Sequence, residues 1–198
     1  MSCQIDKKTM EQVISFHGHS CPGLMIGIRA SEAALQLFPE AKPADLVAVM
    51  ETDMCGVDAV QYLTGCTFGK GNLIHKDYGK MAFSFFHRPS GKGVRFLLNP
   101  EIRLAKEMEK LTAKGKAGKK DKEQTAALRQ EMQDVFFNAD LQEMFFSQPL
   151  DQLPPRPPRV LKSLTCETCG EQTMESRTRR FDGKTLCIPC FNEVEQKV

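Results

Sequence analysis

The sequence has no apolar run approaching the roughly twenty residues that a membrane span requires, and its opening MSCQIDKKTM lacks the apolar centre of a secretion signal. Both absences lead us to expect a cytoplasmic protein with no membrane partner. Charge of one sign is scarce too: 27 Lys and Arg against 25 Asp and Glu leave a formal net charge of +2. That is too little to imply nucleic-acid binding by itself. No internal repeat makes one half a copy of the other. What remains is 198 residues, 41% of them hydrophobic, enough for one main domain and a small appendage.

Cysteine is plentiful, with 8 residues, four in the first third of the chain and four in the last fifth. In a reducing compartment they are more naturally metal ligands or reactive thiols than disulfides.

The pattern along the chain predicts an α+β fold. Met10, Val13 and Ile14 recur at helical spacing between Lys7 and Phe16. After the turn His17-Gly18-His19-Ser20-Cys21-Pro22-Gly23, a helix is expected from Pro22 to Phe38, with Leu24, Ile28, Leu35 and Phe38 on its buried side. The run Leu46 to Met50 suits a buried strand that delivers Asp53 and Cys55 to its end, and Val57 to Leu63 a helix stopped by Gly65. Ala82 to His87 and Val94 to Leu98 read as a hairpin turned by Pro89-Ser90-Gly91-Lys92-Gly93.

Residues 100–148 read as a helical arm that packs on its own domain or grips a second subunit. The arm comprises a helix from Pro100 to Leu111, a solvated loop of Lys114, Lys116, Lys119, Lys120 and Lys122 with Gly115 and Gly118, a helix from Asp121 to Phe137, and a short one from Asp140 to Phe146. Phe145 and Phe146 ask for a partner surface, and a dimer follows from that reading. Residues 1–148 thus form the main domain, 149–160 a stiff proline-rich linker, and 161–198 the appendage.

In the appendage, Cys166-Glu167-Thr168-Cys169 and Cys187-Ile188-Pro189-Cys190 are two C-x2-C knuckles separated by seventeen residues. Each turn presents two thiolates on one edge, and two turns complete the tetrahedral four-sulfur shell of a structural zinc. A hairpin is expected over Arg177 to Leu186 and a closing helix over Phe191 to Gln196, as in a zinc ribbon or treble clef. Arg177, Arg179, Arg180 and Lys184 offer a patch for nucleic acid, or simply solubilise a small domain.

The N-terminal cluster His17, His19 and Cys21 places three soft or borderline ligands within five positions. Cys21 at a helix start favours thiolate, which suits ligation or nucleophilic attack. Cys55 is the best distant residue to complete a second metal site, with Asp53 and Asp58 available to orient an imidazole. Two alternatives stay open: a Cys21/Cys55 pair undergoing reversible oxidation, and Cys–His catalysis with Cys21 or Cys55 as nucleophile and His17 or His19 as base. Cys3 and Cys66 read as small hydrophobes. His75 and His87 read as ordinary strand or loop residues.

The segments Phe16 to Leu24, Cys55 to Gln61, Thr64 to Leu73 and Asp77-Tyr78-Gly79-Lys80 together resemble the FmdE family, associated with molybdenum/tungsten formylmethanofuran dehydrogenase. The C-terminal finger resembles the module often joined to that domain. The resemblance implies an α+β domain that dimerises, with the His17/His19/Cys21 turn and Cys55 in its shared site, and an oxidoreductase partner. The chain has no cysteine series for an iron–sulfur cluster, so an accessory metal-binding role is the leading expectation. A metal- or thiol-dependent enzyme and a metal- or redox-sensing regulator that reads nucleic acid through the finger are the alternatives.

Overall fold

The computed structural model describes residues 2–102 and 119–194, with side chains described throughout except at 119–122. It divides into two compact units, residues 1–157 and 158–198.

The first unit opens with α1 (Lys7–His17). The Asp6 carboxylate caps it by accepting from the Thr9 N–H at 3.0 Å, and Gly18 ends it at φ 95°. Only three residues separate it from Cys21, the N-cap of α2 (Pro22–Leu37). From Leu24 to Ala34 every residue of α2 is buried, because the helix lies against α3 (Gly56–Thr64) as well as the helix over 119–138. That position explains why its interior includes charge. Arg29 bonds Glu32 at 2.5 Å and the Ala139 carbonyl at 2.5 Å, while Glu32 accepts from the Gln4 N–H at 2.7 Å.

Five strands make the main sheet: β1 (Leu46–Met50), β2 (Leu73–His75), β3 (Ala82–His87), β4 (Lys92–Leu98) and β5 (Phe145–Leu150), in the order β2-β1-β3-β4-β5. β1 and β2 are parallel and the other pairs antiparallel. Alternation gives the sheet two faces. Leu46, Ala48, Met50, Phe83, Phe85 and Phe96 join the helices in the main core, whereas Val47, Val49 and Phe86 form a separate cluster.

Several expectations are corrected. α4 (Lys119–Asn138) takes in Lys119, Lys120 and Lys122, against the expectation of a loop there. The helix expected from Pro100 lies outside the described residues from 103 onward, as do Lys114, Lys116 and the two loop glycines. The short helix α5 (Leu141–Met144) is a single turn, and Phe145 and Phe146 begin β5 instead of ending that helix. Phe145 sits in the core at 2% exposed while Phe146 remains 54% exposed, as strand alternation requires. Pro149 is tolerated because β5 is an edge strand. The arm reading therefore fails for 145–148, and Met132 and Phe136 of α4 are buried in the unit's own core.

The second unit holds two small hairpins, β6 (Ser163–Thr165) with β7 (Gln172–Met174) and β8 (Thr178–Phe181) with β9 (Lys184–Cys187), then α6 (Ile188–Glu193). The second hairpin turns on Asp182 and Gly183, both left-handed at φ 46° and 74°. The closing helix starts three residues earlier than expected, with Pro189 in its first turn. The unit's core is Cys166, Leu186 and Cys187, and against it pack Phe181 and Phe191, whose rings meet edge-on at 6.0 Å.

Candidate metal centres

The first centre is built by a helix crossing. A Cβ on Gly27 would stand 2.1 Å from the Gly56 carbonyl oxygen, so α2 and α3 touch backbone to backbone at that point. One turn earlier on α2, a Cβ on Gly23 would meet the Cys55 Cβ at 3.3 Å. This contact brings Cys55, at the start of α3, to the start of α2 where Cys21 sits. The left-handed Gly18 reverses the chain after α1 and returns His17 and His19 to the same place.

The donor atoms of His17, His19, Cys21 and Cys55 all lie within 4.8 Å of one another. Cys21 Sγ is 3.9 Å from His17 Nε2, and the two imidazole rings are 4.5 Å apart. His17 Nδ1 lies 2.7 Å from Asp58 Oδ2. The carboxylate accepts a hydrogen bond from Nδ1–H and so leaves the Nε2 lone pair for the sulfur side of the cluster. Of the two aspartates available to orient an imidazole, Asp58 makes this contact; Asp53 is exposed and bonds neither ring. Burial raises the Cys55 thiol above its ordinary value, and the hydrogen bond with Cys21 raises it further.

Tetrahedral zinc with bonds of about 2.0–2.3 Å separates its ligand atoms by about 3.3–3.8 Å. Two sulfurs and two ring nitrogens already this close need only a small contraction to reach that shell. The donors also suit copper, nickel or iron. His19 is the exposed member of the set.

Two supports of this centre escaped the sequence. Ser20 Oγ donates to Gln133 Oε1, and Gln133 is 7% exposed on α4, so the loop between the histidines and Cys21 is clipped from a distance of 113 residues. The helix crossing has a trace in the spacing Gly23-x3-Gly27, a pattern that permits close approach. The remaining residues fall elsewhere. Cys66 is fully buried and Cys3 packs against the core, with burial raising both thiols. His87 stacks on Phe38 at 5.4 Å, and His75 is exposed at the end of β2.

In the second unit, Cys166, Cys169, Cys187 and Cys190 bring their sulfurs within 4.8 Å of one another. The Cys169 and Cys187 sulfurs are 3.9 Å apart, close to the edge of a zinc–thiolate tetrahedron. The backbone N–H groups of Cys169, Cys187 and Thr168 lower the Cys166 thiol to about 6, whereas hydrogen bonding to Cys187 pushes Cys190 upward. Arg179 and Arg180 are exposed on β8.

The first unit is thus an α+β domain with a His/Cys donor site, and the second a four-cysteine finger. Residues 16–146 match the family described as FmdE, molybdenum formylmethanofuran dehydrogenase operon, and the chain belongs to that family. Residues 161–196 match the prokaryotic dksA/traR C4-type zinc finger.

A probable S-adenosyl-L-methionine-binding protein of Archaeoglobus fulgidus is 31% identical over 195 residues, covering 88% of this chain and 50% of that protein. The chain therefore spans about half the length of that relative. The crystal structure of a tungsten formylmethanofuran dehydrogenase FmdE-like protein from Syntrophus aciditrophicus superposes with a TM-score of 0.64 at 26% identity, covering 93% of this chain and 91% of that one. No described helix is long and apolar enough to cross a membrane.

Proposed function

We propose that the protein is a metal-binding accessory factor for a molybdenum- or tungsten-type oxidoreductase. Its first unit holds an exchangeable metal ion on His17, His19, Cys21 and Cys55, and its second holds a structural zinc on Cys166, Cys169, Cys187 and Cys190. The observation that carries this reading is the convergence of two imidazoles and two thiols, with Asp58 orienting His17 from behind. A metal supplied there would act as a Lewis acid or as cargo. The chain's own residues then have separate tasks. Cys21 and Cys55 provide charge, Asp58 fixes the His17 tautomer, and exposed His19 opens a coordination position. Phe16 and Met54, each 56% exposed and adjacent in sequence to donors, give a partner or a second copy of the chain an apolar contact.

Deleting the gene in its host tests the accessory role. The reading expects the molybdenum- or tungsten-dependent oxidoreductase to lose activity and metal loading while its protein level holds. Full activity and loading in the deletion strain contradict it.

A second reading is favoured by the line Cys21–His17–Asp58, in which an imidazole 3.9 Å from the thiol is held by a carboxylate 2.7 Å away. Here Cys21 is a nucleophile and His17 its base. It expects a metal-stripped protein to be alkylated at Cys21 faster in wild type than in Asp58→Asn, and equal rates would remove it. The S-adenosylmethionine in the relative's name is not carried over, since half of that protein has no counterpart here.

A further inference from the structure

The sheet face turned away from the helices carries a cavity that the metal centres do not use. Val47 and Val49 of β1, Ser84 and Phe86 of β3, and Arg95 of β4 alternate onto this face, with Ser84 paired across Val49 on one side and Arg95 on the other. The segment over 151–157 does not run free as a linker. The carbonyl of Pro155 accepts from Arg88 Nη1, and Leu153 and Pro155 wall a cavity of about 290 Å³ against the sheet. That volume sits at the lower end of small-molecule sites.

The lining divides by polarity. Val49, Ile74, Phe86 and Leu150 form an apolar bed. At the other end, Arg95 gives Nε and Nη2 to Glu51 at 2.6 and 2.8 Å, which leaves Nη1 without an acceptor among the described residues. Ser84 lines the cavity and is only 5% exposed. Lys76 completes this end, and Lys80 also acts on Glu51, so one carboxylate is set against three cations. A hydroxyl and a guanidinium edge beside an apolar bed offer donors to an incoming acceptor.

We propose that this cavity binds a small monocarboxylate with an aliphatic or aromatic body. Its carboxylate is received by Arg95 Nη1, Ser84 Oγ and Lys76 Nζ, and its body lies on Val49, Ile74, Phe86 and Leu150. These few donors match the two oxygens of a carboxylate better than the larger demand of a phosphate. The site is independent of the N-terminal metal centre, which lies on the helices across the sheet.

Calorimetric titration of the full chain with hexanoate, hexanamide and hexylammonium tests the proposal. Hexanoate is expected to bind at least about tenfold tighter than hexanamide, and hexylammonium not at all. Lys76→Met, at an exposed position where folding is not at stake, should weaken hexanoate about tenfold. Ser84→Val should do so as well, with an unchanged melting temperature showing that it folds, and Cys21→Ala should have no effect. Absence of hexanoate binding at millimolar concentrations overturns the proposal. Equal binding of hexanoate and hexanamide, or a Lys76→Met protein that binds hexanoate as wild type does, overturns it too.

Discussion

Both donor sets gather their ligand atoms within 4.8 Å, yet they are held in opposite ways. In the first unit the ligands come from the end of α1, the loop after it and the starts of α2 and α3, positioned by a core that includes Val13, Leu24, Ala59 and Phe136. In the second, the ligands themselves make up much of the core, and few apolar residues accompany them. A fold with so small an interior needs its metal, as small domains generally do. The main domain thus positions its donor set through its own core, whereas the finger has little besides its cysteines to hold it together.

The largest effect should come from breaking the finger. Structural zinc in such units is worth about 10–16 kcal/mol of apparent binding free energy. Cys166→Ser should therefore collapse the amide NMR dispersion of residues 163–191 and leave that of 7–98 intact. Concerted loss of both would contradict the comparison.

Gly27→Ala comes next. Its methyl would meet the Gly56 carbonyl at 2.1 Å, and overpacking costs about 1–3 kcal/mol, read as a lower denaturation midpoint. Because the crossing sets Cys55 beside Cys21, this variant should also lose the N-terminal metal. Cys21→Ala with Cys55→Ala should lose that metal with a stability change below about 1 kcal/mol, the reverse of the finger's behaviour.

A finer test is Asp58→Asn, which keeps every ligand but disturbs the tautomer of His17 and should weaken metal binding about 10- to 100-fold in a competition titration.

The smallest effect concerns pH. The Arg95 bond holds the Glu51 carboxyl below its ordinary value, so this pair stabilises the fold above the unfolded carboxyl's pKa of about 4.3. That contribution is lost as pH falls through the lower folded value. Glu51→Gln should flatten the acid limb of a stability–pH curve by less than about 1 kcal/mol, since the pair is partly exposed.

Sequence reveals what is local. Knuckles with two intervening residues, and His17, His19 and Cys21 around one turn, announce themselves by spacing. Cys55 can be placed because a short apolar strand ends just before it. The rest depends on contacts between distant positions. Nothing near Ser20 points to Gln133, and nothing in either helix alone shows that Gly27 meets Gly56. Two adjacent apolar residues such as Phe145 and Phe146 fit a helix end as well as a strand, and only pairing with β4 decides between them. Composition makes the proline-rich segment a linker, but the Arg88 bond holds part of it to the main unit.

The central claim is that each unit has its own metal, one made by the fold and one making it. Elemental mass spectrometry on anaerobically purified, untagged protein, beside His19→Ala with Cys21→Ala, tests it most directly. The account predicts two metal ions per chain, of which the variant retains only the zinc of the finger. A single zinc per chain, unchanged in the variant, would contradict it.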